Sequence, residues 1–187
     1  MIGALVAGIT GSGGASLSSY ESIATASLSG ISTYTFSSIP STFKHLQVRM
    51  MVRNSDASAG NNNMYLQFNG DTGSNYSFHQ LYGNGTSAAA SGLVSQTSTP
   101  ISYTVNNGEA ANLFGVGILD VLDYTSSSKN KIVRCLTGFD LNGSGTVAVK
   151  STAWLSTNAI TSLTLINGGA TNFASGSSIA LYGIKEA

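Results

Sequence analysis

Three long runs of alternating strand-forming residues lie between Leu113 and Leu155 and are separated only by short segments of turn chemistry. The runs read LFGVGILDVLDY, NKIVRCLTGFD and GTVAVKSTAWL. Alternation with a period of two is typical of β-strands that have one buried and one exposed face. Because short turns join neighbouring antiparallel strands, this segment predicts a continuous meander around which the rest of the chain is organised.

The first of the three runs is unusual because both of its faces are apolar. Phe114, Val116 and Ile118 point to one side, whereas Leu119 and Val121 point to the other. A strand of this kind needs cover on both faces. The run therefore predicts a position in the middle of a sandwich or at a subunit contact.

Further runs with the same period precede and follow the meander, and no segment has the period of an amphipathic helix. The clearest one spans residues 44–53, while residues 54–63 and 86–99 predict loops. We expect ten or eleven strands in all. The sequence thus predicts an all-β fold, an antiparallel two-sheet β-sandwich, and jelly-roll topology is the most common arrangement of that many strands at this length.

The length of 187 residues predicts a single domain, over residues 20–187. Residues 1–19 form an apolar, Gly-rich arm, which lacks the basic start of a secretory signal and is shorter than the ~20 apolar residues of a membrane span. We expect this arm to order on a neighbouring subunit or on a partner; the alternative is a disordered tail. Its expected contact residues are Ile2, Leu5, Val6 and Ile9.

Charged residues are few. Lys and Arg number eight and so do Asp and Glu, whereas 85 of the 187 residues are Ser, Thr, Gly or Asn. A net charge of zero gives little protection against association, so we expect an oligomer, a homotrimer or another cyclic assembly. No cluster of basic residues is present to bind phosphates, which argues against nucleic acid as a partner. We expect no membrane partner either.

No pattern of catalytic residues is present. The two histidines have neither cysteine nor carboxylates at a useful spacing, and the carboxylates are scattered at loops and strand ends. The glycine clusters do not open helices, so they predict turns. Cys135 lies on the apolar side of its run and predicts a small buried side chain. We therefore predict a non-enzymatic protein without a cofactor.

Oxygen-bearing side chains recur in the turn after residue 68. Asn69, Asp71 and Asn75 are spaced as calcium ligands can be, but only one of them is charged. Oxygen-rich turns without a metal are common, so we predict no metal site, although calcium near Asp71 stays an open alternative.

Two surfaces are candidates for binding. His45, Arg49 and Arg53 lie opposite the apolar face of their run and predict a polar face that either faces water or meets a polar partner. Aromatic residues on loops can stack on sugar rings, although packing in the core is their commoner fate. The candidate glycan contacts are Tyr76, Tyr82 and Phe173.

Four segments carry a family resemblance. They read SYESIATASLSG, YTFSSIPSTFKHLQVRMMVR, YLQFNGDTGSNYSFHQLYGNGTSA and GSSIALYGIKEA. In this order they resemble a family of bacteriophage virion proteins that is frequent in phages of aquatic and cyanobacterial hosts. The resemblance covers most of residues 20–185, and its motifs are turns and strands, so no binding residue is carried over.

The resemblance implies a structural component of the virion, of tail-fibre, minor-tail or capsid-surface type. The chain is short and has no fibrous shaft, which favours a surface module attached to other virion proteins through the arm. Capsid decoration and a tail fibre or adaptor both stay open. The alternative function is a carbohydrate-binding module that recognises a glycan of the host envelope.

Overall fold

The computed structural model describes residues 19–185, and this range contains twelve β-strands and no helix. The strands are β1 (Tyr20–Leu28), β2 (Thr33–Phe36), β3 (His45–Val52), β4 (Asn61–Phe68), β5 (Tyr76–Gly83), β6 (Ala88–Gln96), β7 (Thr99–Val105), β8 (Gly115–Val121), β9 (Lys131–Asp140), β10 (Gly145–Trp154), β11 (Leu163–Asn167) and β12 (Ser177–Ile184).

The strands form two sheets. The larger sheet has eight strands in the order β1-β12-β3-β8-β9-β10-β5-β6, and the smaller has four in the order β2-β11-β4-β7. All neighbouring strands within the sheets are antiparallel. The all-β, antiparallel two-sheet sandwich is thereby confirmed, whereas jelly-roll topology stays a prediction.

The hydrophobic core lies between the two sheets. Strand β3 illustrates how alternation builds it, because Leu46, Val48, Met50 and Val52 all point inward and are at most 5% exposed. These are the apolar positions that the period of two predicts. The four-stranded sheet supplies side chains such as Leu66 from the other side.

The meander is confirmed. β8, β9 and β10 are consecutive neighbours in the eight-stranded sheet, and a tight turn joins β9 to β10. Asn142 and Gly143 in that turn both have positive φ angles, 59° and 138°, which Asn and Gly adopt more readily than other residues. The two-faced strand β8 is the fourth strand of its sheet, but Val116 and Ile118 on one of its faces are exposed, so the predicted cover of both faces is not provided within one copy.

Two segments predicted as loops contain strand residues. Strand β4 begins at Asn61, inside the first of them, and strand β6 occupies most of the second. The residues of β6 are small and mostly exposed, so hydrogen bonding to β5, rather than burial, holds this strand in place. The structure therefore has more strands than the ten or eleven that the sequence predicts.

The eight-stranded sheet is wider than the four-stranded sheet. Its inner face is covered by the smaller sheet over its central strands, but β6 at the edge is exposed along nearly its whole length. The opposite face of the larger sheet points away from the four-stranded sheet. We call it the outer face.

Candidate functional site

The outer face carries two neighbouring rows of apolar residues. In the first row Ile118, Leu136, Val149 and Leu81 lie directly opposite one another across β8, β9, β10 and β5. The second row contains Met51, Val116, Gly138 and Val147, from β3 to β10. We call the seven side chains other than glycine the apolar patch.

The apolar patch is well exposed. Its side chains are between 44% and 60% exposed, although all seven are apolar. Contiguous exposed apolar residues on a soluble protein commonly mark an interaction site. The outer face thus has the apolar character of an interface.

A polar row borders the patch. Gln47, Asp120, Arg134 and Ser151 lie opposite one another in the next register position along the same strands. The Gln47 amide donates a hydrogen bond of 2.9 Å to Asp120, whose carboxylate also lies 3.6 Å from the Arg134 guanidinium. Opposite charges therefore compensate each other at the margin of the apolar patch.

A groove of about 500 Å³ runs along one side of the outer face. Small side chains form one wall, with Thr25 on β1 and Ser178 and Ala180 on β12. The other wall consists of patch residues, and Gly138 leaves a hollow between Val116 and Val147. The groove lining has one charged residue, Arg49.

Arg49 is the charged residue of the groove, and it is exposed. Its guanidinium lies 5.1 Å from the ring centre of Tyr182 and 5.7 Å from that of Tyr20, and its Nε donates a hydrogen bond of 2.9 Å to the side-chain oxygen of Gln47. Two aromatic faces and an amide thus hold this cation at the end of the groove.

The other two residues of the predicted polar face are placed differently. His45 is half-buried, and its Nδ1 accepts a hydrogen bond of 3.0 Å from the backbone N–H of Asp123. Arg53 is only 5% exposed, and its guanidinium donates to the backbone oxygens of Asn107, Glu109, Ala110 and Leu113. Of the three residues, Arg49 is therefore the one that a partner can reach fully.

The loop aromatics do not form a sugar platform. Tyr76 is 0% exposed and packs against Trp154 with ring centres 6.5 Å apart, and Phe173 is also buried. The Tyr76 hydroxyl accepts a hydrogen bond of 2.9 Å from the backbone N–H of Phe68 and donates one of 3.1 Å to the backbone oxygen of Asp71. Tyr82 is half-buried, so one of the three candidate glycan contacts keeps partial access.

The Asp71 carboxylate accepts hydrogen bonds rather than presenting free oxygens. Its donors are the Trp154 indole, the Asn75 side-chain amide and the Gly73 backbone N–H, at 2.7–2.9 Å. These bonds, led by that of Trp154, lower the pKa of Asp71. The turn that suggested calcium is thus a hydrogen-bonded support for the buried tryptophan.

Two buried polar groups face the core from adjacent strands. Cys135 on β9 lies opposite Lys150 on β10. Burial raises the pKa of the Cys135 thiol to about 12, and the expected buried side chain is confirmed. Burial also lowers the pKa of the Lys150 ammonium group, to about 8. The Lys150 Nζ lies 4.1 Å from the ring centre of Tyr103 and 3.3 Å from Asn63 Oδ1.

Residues 19–185 contain no group of three or more His, Cys, Asp or Glu side chains that could hold a metal ion. Within the same range there is no helix long and apolar enough to cross a membrane. The predicted arm contacts Ile2, Leu5, Val6 and Ile9 lie outside the described residues.

No protein-family model, curated protein or solved structure gives a match to the chain.

Proposed function

We propose that this protein is a non-enzymatic structural subunit that assembles through the outer face of its eight-stranded sheet. The apolar patch carries the proposal. Its seven side chains lie in two neighbouring register rows, and an exposed apolar surface of this kind is unfavourable in water. Covering it with a second copy removes that cost, and the polar row at its margin fits the rim of an interface.

The assembly is proposed to be a homotrimer or another cyclic oligomer. Closed cyclic symmetry limits an oligomer to a defined number of copies. The scarcity of charge, with eight cations and eight anions in the chain, fits a protein that hides much of its surface in contacts.

The setting is proposed to be a bacteriophage virion. Support comes from the four sequence segments that resemble phage virion proteins, which include the start of β1 and the end of β12. In this proposal the protein is a surface module, a capsid decoration or a tail fibre or adaptor, and the arm attaches it to other virion proteins.

The alternative, a carbohydrate-binding module, has less support. Two of its three aromatic contacts, Tyr76 and Phe173, are buried and engaged in the core. A glycan array with the purified protein tests this alternative directly, since selective binding that is lost on Tyr82→Ala would revive it.

The order of the strands favours a jelly roll for eight of the twelve. In chain order β1, β3, β8 and β12 lie side by side in the larger sheet, while β2, β4, β7 and β11 form the smaller one. A jelly roll likewise divides eight strands between two sheets. The hairpins β5–β6 and β9–β10 would then be additions that widen the larger sheet.

Sedimentation equilibrium tests the assembly. We expect the full chain to have three times the monomer mass at micromolar concentration, and Leu136→Asp to reduce it to the monomer mass. Leu93→Asp is the matched control, because Leu93 is 55% exposed, close to the 56% of Leu136, but lies opposite Phe78 on the inner side of β6. A wild-type chain that stays monomeric would refute the proposal.

The virion setting needs a separate measurement. Mass spectrometry of purified phage particles from the source of this sequence should detect the chain in stoichiometric amounts. Complete absence from the particles would refute the setting while leaving the assembly intact.

A further inference from the structure

We propose that the groove on the outer face binds the arm of a second copy of this chain. The inference rests on the proposed assembly through the outer face, and it assigns the arm to a second copy of this chain rather than to another virion protein.

The groove has the size and chemistry of a site for aliphatic side chains. Its volume of about 500 Å³ falls within the ~300–1,000 Å³ of typical ligand clefts. One wall is lined by Met51, Val116, Ile118 and Val147, and the small residues of β1 and β12 leave the opposite wall low. Arg49, the charged residue of the lining, is held by Tyr20 and Tyr182 at one end.

The arm matches this groove in composition. Residues 1–18 contain no Asp, Glu, Lys or Arg, and they carry four aliphatic side chains within eight positions, Ile2, Leu5, Val6 and Ile9. An uncharged aliphatic segment brings no charge of its own into the groove, so none is left buried without a partner. Small residues between the aliphatic ones allow close approach to the sheet.

The geometry of β1 favours the arm of a second copy over the arm of the same copy. Strand β1 runs from Tyr20 towards Thr25, which lines the groove. A segment that precedes Tyr20 must therefore reverse its direction and cross the Arg49–Tyr20–Tyr182 cluster to enter its own groove. This constraint applies only to the arm of the same copy, and residues 10–19 of a second copy can span at most ~33–36 Å between the two bodies.

A peptide-binding experiment tests whether the groove receives the arm. The probe is a fluorescently labelled peptide of residues 1–15, and the receptor is the chain without those residues. Fluorescence anisotropy should show saturable binding. Ala180→Phe, which fills the groove opposite Thr25, should weaken binding about ten-fold or more.

Ala90→Phe is the matched control, since Ala90 is exposed on the same outer face, opposite Leu81, but does not line the groove. This variant should bind the peptide like the unsubstituted receptor. Equal loss of binding in both variants, or no binding to the unsubstituted receptor, would overturn the inference. Circular dichroism of each receptor verifies that it is folded.

Disulfide trapping tests which copy supplies the arm. The donor chain carries Leu5→Cys and Ala180→Phe, whereas the acceptor lacks residues 1–15 and carries Thr25→Cys. Cys135→Ala removes the buried thiol from both. We expect a disulfide-linked heterodimer on mixing. A single chain with both Leu5→Cys and Thr25→Cys that forms only intrachain disulfides would overturn the assignment to a second copy.

Failure of this inference can be told apart from failure of the proposed function. If the chain without residues 1–15 has the same oligomeric mass as the full chain and binds no peptide, the arm is not the occupant and assembly through the face stands. If the full chain is monomeric, the proposed function fails whatever the peptide does.

Discussion

Ile118 on β8 lies directly opposite Leu136 on β9, and both side chains point to the outer face of the eight-stranded sheet. The next pair along the same strands, Leu119 and Cys135, lies opposite each other on the inner face and is buried. One strand pair therefore has apolar residues on both faces, and a single copy covers only one of them. The uncovered apolar face is the surface through which the proposed assembly takes place.

Arg53→Ala should destabilise the fold, whereas Arg49→Ala should not. Removal of the Arg53 guanidinium leaves the carbonyls of residues 107–113 without their donors, which should lower the free energy of unfolding by about 2–4 kcal/mol. Arg49 is exposed and should cost about 1 kcal/mol or less. Urea unfolding of both variants checks this, and equal losses would contradict the buried role of Arg53.

Tyr76→Phe should cost about 1–3 kcal/mol of unfolding free energy, because the buried backbone N–H of Phe68 loses its acceptor. Tyr82→Phe at a half-buried position is the control and should change stability by less than about 0.5 kcal/mol. Thermal unfolding monitored by circular dichroism measures both. A neutral Tyr76→Phe would indicate that the hydroxyl is not a structural hydrogen-bond partner.

Lys150→Met should change how stability depends on pH. The pKa of Lys150 is about 8 in the folded protein and 10.5 ordinarily, so below pH 8 the fold bears the full cost of a buried charge. As pH rises from 8 to 10.5 the folded chain releases this proton before the unfolded chain does, and wild-type stability gains roughly 3 kcal/mol. The variant lacks this gain, so its advantage over wild type should be largest at pH 7 and shrink towards pH 10.5.

Urea unfolding at pH 7, 8, 9 and 10 in a Leu136→Asp background measures this difference without a contribution from association. The pKa of Cys135 is raised in the folded protein, so above pH 9 its thiol ionises more readily in the unfolded chain and both proteins lose stability. This loss largely cancels when the two proteins are compared. A difference between the two proteins that stays constant with pH would contradict the account of Lys150.

Alternation of apolar and polar residues predicted the strands in which it is regular. It placed the inward residues of β3 correctly, and it identified β8 as a strand with two apolar faces that needs cover. These predictions worked because alternate residues of a strand point to opposite faces, so only two orientations are possible. In β3 the apolar residues all fall on one face, which identifies the inner one.

Strand β10 shows why the site itself was harder to predict. Val147 and Val149 look like the core face, but Lys150 and Trp154 point inward and the valines are exposed. Trp154 has the larger apolar area to bury and therefore faces the core. Lys150 is separated from Trp154 by an even number of positions, so it points to the same side of the strand. Trp154 was therefore the signal in the sequence that could have identified the outer apolar rows.

The misplaced binding residues have a related cause. Arg53, Tyr76 and Phe173 belong to turn-rich segments whose packing depends on distant strands, such as the contact of Tyr76 with Trp154. Local spacing carries no information about such contacts, so side chains expected at the surface are buried instead.

The most direct test of assembly through the outer face is hydroxyl-radical footprinting of side chains in the wild-type oligomer and in the monomeric Leu136→Asp variant. Ile118, Val149 and Leu81 should be oxidised several-fold more slowly in the oligomer, while Leu93 on the opposite side of the sheet should react equally in both. An oligomer in which the patch residues react as fast as in the monomer would contradict the account, since its subunits would then meet through another surface.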